Sequence, residues 1–562
     1  MGLVGERRRR RRRRARGLAA SLAAVAVAAA GIGFGLSQSG AAAPTPAATR
    51  GHPDPRRPQS PKPHLGPDGV VSPAIVAENR RPGTTSWEIT HQPATGSIQG
   101  WAGATQAVAG QTVGLYVTTT APSFRVVAYR MGYYQGKGAR EIWESKPVAG
   151  KVQPPCSTAP GVNMVSCDGW HRSLTMHVTK AFTQGDYLLK LVGSAGQQSY
   201  VLLTVWDPKS TAAYLVVARS LTEEGWNTYG GYSFYEGQGA CTLGQTGSYP
   251  PCNRARVVSF DRPFTTGDGA SDFLSNEYPL VRFMEQHGLD AAYVTDVTVS
   301  EHPSVVLRHR AVLSLGHDET WTASERDAVQ VGAAHGVNVA FMGAAPLVRH
   351  ARLQASPLGP DREVVDYRTS AEDPLDATGR SDATVTGNTF ATPPVSWAPT
   401  SFVGGEYSGY VDTGVGALPF VVEDASSWIF RGTGLADGSQ VPDVIRSDIE
   451  HVNPATSPAD LEVLGHSPVP LTSAYTNQGE WDGDTYSDMT YYTSASSGAG
   501  IFESGTVSWI SRLSICESPP GPCPARDLAR ITGNLLRLFG QGPAGKLEPS
   551  VANAAGVTPA GS

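Results

Sequence analysis

The sequence predicts an all-β unit of sandwich type followed by a doubly wound α/β domain. Three observations carry this. Between about residues 86 and 207, short alternating apolar runs recur roughly every ten to twenty residues, split by turn residues, the pattern of half-buried antiparallel strands. From residue 212 the apolar runs become continuous and alternate with helical periods, as buried parallel strands joined by crossover helices require. Charged residues are only 17% of the 562, while Gly (63) and Pro (42) are plentiful, a composition of strands and loops rather than of a helical bundle.

At the N-terminus an unbroken Arg run, Arg7 to Arg14, and Arg16 precede Gly17–Leu36, which carries no charge, and Ser39-Gly-Ala-Ala-Ala43 supplies small residues. This is the order of an export signal. The apolar stretch is also long enough to span a bilayer with its arginines inside. Residues 1–43 therefore read as a signal peptide or an N-terminal membrane anchor, and the rest as secreted or membrane-anchored and extracellular, touching membrane only through this segment. Without residues 1–43 the chain holds 36 Lys+Arg against 49 Asp+Glu, a formal charge of −13, which argues against nucleic acid as a partner. Residues 44–76, rich in Ala and Pro, read as a disordered linker.

Six cysteines form three close pairs, Cys156/Cys167, Cys241/Cys252 and Cys516/Cys523. In an exported chain an even count points to disulfides, and the three local pairings are expected. None of these spacings is that of a zinc site.

Residues 77–208 form the predicted β unit, with strands at Thr112–Val117, Phe124–Tyr129, Leu174–Val178, Tyr187–Leu191 and Tyr200–Val205. Residues 209–546 form the α/β domain. Its expected strands are Tyr214–Ala218, Ala291–Thr295, Ala311–Leu315 and Val337–Met342, and its helices Ala270–Gly288, Ala323–His335 and Ala525–Phe539. Residues 355–440 show no helical period and read as long loops and irregular strands. Val441–His451 is expected to rejoin the sheet, and Asp488–Tyr492, Ala499–Phe502 and Gly505–Ile510 are strand-like. Residues 547–562 read as a disordered tail.

The densest chemistry follows Ala311–Leu315. Gly316 breaks the strand, His317, Asp318 and Glu319 put three ionisable groups on one turn, and Thr322-Ala-Ser-Glu325 is a capping box that starts a helix. In open α/β sheets ligands collect at the carboxyl ends of strands. Two further segments flank this turn: the loop Trp226-Asn-Thr-Tyr-Gly-Gly-Tyr-Ser-Phe-Tyr235, beyond the first parallel strand, and the extended Phe260-Asp-Arg-Pro-Phe264. Asp261 with Arg262 reads as an internal ion pair, Glu277 as a brace beneath the helix, and His287, His335 and His350 as structural or surface residues. No Gly-x-Ser-x-Gly elbow is present, which disfavours a serine hydrolase.

Seven motifs occur in order: Tyr129-Arg-Met-Gly-Tyr-Tyr134, Asn227-Thr-Tyr-Gly-Gly231, Ser259-Phe-Asp-Arg-Pro-Phe264, Asn276-Glu-Tyr-Pro-Leu280, Tyr293-Val-Thr-Asp296, Leu315-Gly-His-Asp-Glu319 and Gly505-Thr-Val-Ser-Trp509. Together, over about residues 100 to 540, they resemble the C-terminal part of the large (beta) subunit of N,N-dimethylformamidase and its exported actinobacterial relatives. The resemblance implies a β-sandwich followed by a glutamine-amidotransferase-like α/β domain, and hydrolysis of the C–N bond of a small linear amide. It also implies a mononuclear iron (Fe3+) site of two tyrosines and one glutamate, hard oxygen ligands suited to that ion. By the same resemblance Glu319 is the ligand glutamate, His317 its neighbour and Asp448 a further catalytic carboxylate. Trp226 and Phe264 stand where relatives carry tyrosine, which leaves Tyr229 and Tyr235 as the nearest phenols for the metal. A homo-oligomer or a small partner subunit is implied as well. Two other readings stay open: a non-catalytic extracellular binding module with a decayed metal site, and a cell-surface carbohydrate-interacting protein.

Overall fold

Seven strands, the parallel ones largely apolar, assemble into one central sheet. Its order in space is Ala291–Thr295, Tyr214–Ala218, Ala311–His317, Asn338–Ala344, Gly500–Glu503, Thr485–Thr493 and Glu462–Val469. The first five strands run parallel and the last two antiparallel. The computed structural model describes residues 62–90, 96–238, 253–387, 389–411, 416–470, 474–475, 485–513 and 524–557. Residues 1–43 and the Cys241/Cys252 and Cys516/Cys523 pairs lie outside these.

The parallel strands are buried on both faces, and successive residues feed two different cores. Tyr214, Val216, Tyr293, Leu313 and Met342 belong to one cluster, packed by Leu280 and Met284 of the helix Tyr278–Gln286 and by Leu528 and Leu535 of the helix Pro524–Phe539. Leu215, Val217, Val294, Val312 and Phe341 belong to the other, packed by Val329 and Ala333 of the helix Ala323–Ala334. That period of two explains why these strands read as unbroken apolar runs.

Before this domain, a three-stranded sheet (Leu174–His177, Thr112–Thr119, Ile98–Ala102) faces a six-stranded one containing Gln198–Val205, Gly185–Gly193 and Ser123–Met131. Leu115, Val117, Val126, Leu189 and Leu203 from the two sheets share one apolar cluster. The architecture is thus mixed α and β with many sheets. A buried ion pair joins the two parts: Arg130 Nη2 lies 2.8 Å from Glu285 Oε1, and Tyr293 donates to the same carboxylate at 2.9 Å. Cys156 and Cys167 form the expected disulfide.

Several expectations need correction. Order begins before residue 77: His64–Leu65 pairs with Val70–Val71, and the Tyr214 hydroxyl accepts from the Val70 amide at 2.9 Å while donating to the Leu536 carbonyl at 2.6 Å. The linker reading therefore fails for residues 62–76. The predicted helix Ala270–Gly288 is two helices, Phe273–Asn276 and Tyr278–Gln286, because Pro279 occupies the first turn of the second and Glu277 departs from helical angles. Residues 440–452 do not rejoin the central sheet: Gln440–Ile445 pairs with Leu418–Val421, and Ser447–Val452 with Gly405–Val411. Gly505 turns at φ +71° and leads to a helical turn, Trp509–Arg512, not a strand. In the expected tail, residues 547–557 are held against the sheet edge, where the Asn553 side chain accepts from the Val463 amide at 2.6 Å. Among the described residues no helix is long and apolar enough to cross a membrane.

Gly316 and Gly343 face each other on adjacent strands. A Cβ on Gly343 would lie 1.6 Å from the Gly316 carbonyl oxygen, so Gly343→Ala forces backbone apart at the sheet's carboxyl edge. We expect a loss of about 3 kcal/mol or more in urea unfolding, with a melting transition unchanged from wild type as the contrary result.

Candidate functional site

The strand Ala311–His317 is buried until its last residue. Gly316 then takes φ +57°, a left-handed conformation that glycine adopts without strain, and the chain turns. Asp318 folds back into the protein, accepting from Ser314 Oγ at 2.8 Å, while its carbonyl accepts from Trp321 Nε1 at 2.7 Å. Thr322 Oγ1 accepts from the Glu325 amide at 3.0 Å and starts the helix. The reciprocal half of the predicted capping box is not formed, since neither Glu325 carboxylate oxygen has a hydrogen-bond partner. The turn leaves His317 and Glu319 side by side.

Glu319 is buried and meets four donors. His317 Nε2 lies 2.9 Å from Oε2, and Trp226 Nε1 donates to the same oxygen at 3.1 Å. Arg349 Nε donates to Oε1 at 3.0 Å, and the Tyr235 hydroxyl donates to Oε1 as well. Burial by itself raises the Glu319 pKa. The hydrogen bond and charge of His317, with Arg349 and Tyr235, overturn that and hold the carboxyl well below the usual carboxylate range. Burial also favours a neutral His317, but Asp448 and Glu319 outweigh it and push the imidazole up to about 9. Asp448 Oδ2 stands 3.9 Å from His317 Nε2. Burial raises the Asp448 pKa against the pull of His317, and the Tyr407 hydroxyl bonds to it.

The surrounding elements deliver these groups from distant sequence. Trp226 ends the helix Ser220–Trp226 and stacks on Tyr235, with ring centroids 3.7 Å apart. The Arg368 guanidinium lies 4.8 Å from the centre of the Tyr235 ring. Arg349 opens a strand parallel to Thr320–Thr322, and its amide donates to the Glu319 carbonyl at 2.8 Å. Asp448 lies on Ser447–Val452, opposite Tyr410. The side chains of His317 and Asp448 keep 13% and 18% of their surface exposed, and Trp226 is 40% exposed, so the cluster reaches solvent.

Of the five residues singled out from sequence, the structure brings together His317, Glu319, Asp448 and Tyr235. Tyr229 is not among them. Its hydroxyl donates to Gln99 at 3.4 Å, and its ring packs against Trp101, Cys167 and Trp170 of the first β unit. Asp261 and Arg262 do not pair with each other either. Arg262 pairs with Glu224 at 2.5 Å and holds the carbonyls of Tyr229 and Tyr232, fixing the Trp226–Tyr235 loop, while Asp261 pairs with Arg362 at 2.7 Å. Sequence reasoning missed Arg349 and Tyr407, single residues in stretches without a motif.

The donors around Glu319 do not suit the ferric ion expected from sequence. Trp226 Nε1 has no lone pair to give, and the Arg349 guanidinium is a permanent cation. Both Glu319 oxygens already accept from protein donors.

A family model described as N,N-dimethylformamidase beta subunit-like, C-terminal, matches residues 125–523. No curated protein matches the chain.

The His317 pair gives stability a pH signature. Its folded value lies above its unfolded value of about 6.5, so its stabilisation is complete below that value and is lost as pH rises through about 9. Between pH 6.5 and 9.5 the melting temperature of wild type is expected to fall by about 3 °C or more beyond that of His317→Asn. Parallel curves for the two proteins would contradict the pairing.

Proposed function

The chain belongs to the N,N-dimethylformamidase beta subunit-like family, and we propose that it hydrolyses a small linear amide at the His317–Glu319–Asp448 cluster without a bound metal. One observation carries this reading: a largely buried imidazole whose Nε2 lies 2.9 Å from Glu319 and 3.9 Å from Asp448, where the central sheet opens to solvent. Family membership favours an enzyme over a non-catalytic module or a carbohydrate binder.

Asp448 is the general base. Its raised pKa makes it a stronger base than a free carboxylate, and the Tyr407 hydroxyl orients it. It takes a proton from water as the oxygen attacks the amide carbon. The His317 imidazolium faces the developing oxyanion and stabilises its charge. The proton on Asp448 then passes to the leaving nitrogen, the C–N bond breaks, and a carboxylic acid and an amine result. Glu319 is a positioning residue: it keeps His317 charged and fixed. No step uses iron, because the groups around Glu319 are donors and cations.

The two early sheets sharing one core support a sandwich reading, and the central sheet with helices on both faces supports an amidotransferase-like one. The family's description as subunit-like supports work alongside a further subunit or copy. Export, with residues 1–43 as signal or anchor, is part of the same proposal and rests on the order of the Arg run and the apolar stretch.

Asp448→Asn is expected to lower kcat/KM on a panel of small linear amides by about 10²–10⁴-fold with the circular dichroism spectrum retained, and dialysis against a chelator is expected to leave the wild-type rate unchanged. Wild-type rates in the variant, or a rate lost to chelation and restored by iron, would overturn the assignment.

A further inference from the structure

A small cavity of about 60 Å³ lies between the first β unit and the carboxyl end of the strand Tyr214–Ala218. It is not the cluster described above, since neither His317 nor Glu319 lines it. From its walls we propose that this cavity is a second site, which binds a small organic ammonium ion.

Four carboxyl groups line it, from Asp186, Glu223, Glu224 and Glu277, against two guanidinium groups, from Arg219 and Arg262. All six residues are 5% exposed or less. Arg262 is matched by Glu224 at 2.5 Å, and Arg219 Nε by Glu277 at 3.2 Å. Arg219 Nη1 is used on the His317 carbonyl at 3.1 Å. That leaves Glu223 and Asp186 without a cation of their own. Glu223 shares a hydrogen bond with the Glu277 carboxyl, yet its Oε1 has no hydrogen-bond partner, and its nearest cation is Arg219 Nη2 at 3.7 Å, which Asp272 shares at the same distance. Asp186 receives only the Thr204 hydroxyl, at 2.8 Å.

Buried carboxylates without matching cations are costly, and this cluster meets the cost by holding protons. Burial, then the charge of Glu277, raises Glu223 well above the carboxylate range. Burial also pushes Asp186 up to about 7. An entering cation takes the place of a proton. The excess of acid rejects anions, and the aromatic walls, Trp101, Tyr187, Phe260, Phe264 and Phe273, favour an alkylammonium over a strongly hydrated inorganic ion. The ammonium N–H groups supply Glu223 with the donors it lacks. Binding releases a proton from Glu223 to solvent, so affinity rises by up to about tenfold per pH unit while Glu223 starts protonated.

The test is calorimetric titration of the full chain with methylammonium chloride, against potassium chloride at equal ionic strength, at pH 6 and pH 8 and in two buffers of different ionisation enthalpy. The expected result is one saturable site for methylammonium, tighter at pH 8, with about one proton released per ion. Glu223→Gln is expected to weaken it tenfold or more. Should that variant fail to fold, Phe264→Leu, which keeps an apolar wall and removes a ring, is expected to weaken it several-fold. No methylammonium heat beyond the potassium control, as in a cavity filled by water alone, would overturn the proposal. So would equal binding of potassium, or unchanged affinity in whichever variant folds.

Discussion

A parallel sheet covered on both faces has one place to put charge, its carboxyl edge. Along the strand Ala311–His317 every residue but the last is buried, and its neighbours alternate between two apolar clusters. An ionised side chain within that run would pay the full cost of desolvation. The strand therefore ends one residue past Gly316, at His317, and the charges of His317, Asp318 and Glu319 gather at that end, where other polar groups meet them. Everything the site does follows from that boundary, because groups placed there are dry enough to interact strongly and close enough to solvent to meet a ligand.

The same boundary explains the electrostatics. Glu319 stays ionised in a buried position because donors surround it, and His317 stays protonated because two carboxylates lie near its Nε2. Each ion makes the other's charge affordable, and neither state is a property of the residue alone. Asp448 sits one step further out, 3.9 Å from the imidazole; there desolvation outweighs attraction and its pKa rises. Carboxylates on one imidazole, pushed in opposite directions, are how a fold separates a positioning group from a base. The stacked Trp226 and Tyr235 rings close one wall, and their N–H and O–H groups both serve Glu319. A site built of donors around a carboxylate holds a charge in a fixed place.

Arg219 ties the two polar regions together. Its Nη1 supports the His317 carbonyl, and its Nε faces Glu277 across the inner cavity. The residue follows the strand Tyr214–Ala218, so a neighbouring strand's carboxyl end obeys the same rule as that of Ala311–His317. Further from the sheet, the buried Arg130–Glu285 pair joins the early β unit to the helix Tyr278–Gln286, and the cavity lies in the seam between those parts.

The sequence by itself determined the parallel strands, because burial on both faces forces an unbroken apolar run, and it determined the His317–Glu319 turn, because a strand, a glycine and a helix cap are local signals. Its period-two runs placed five strands of the early β unit close to their observed bounds. Tertiary structure alone decided which phenol meets Glu319. Tyr229 and Tyr235 share one loop and one composition, yet Arg262, reaching in from another segment, fixes that loop so that one ring goes to Glu319 and the other to the Trp101 cluster. Arg349 and Tyr407 were illegible for the same reason. Each acts through a contact made across long sequence separation, and no local pattern records where a chain will return.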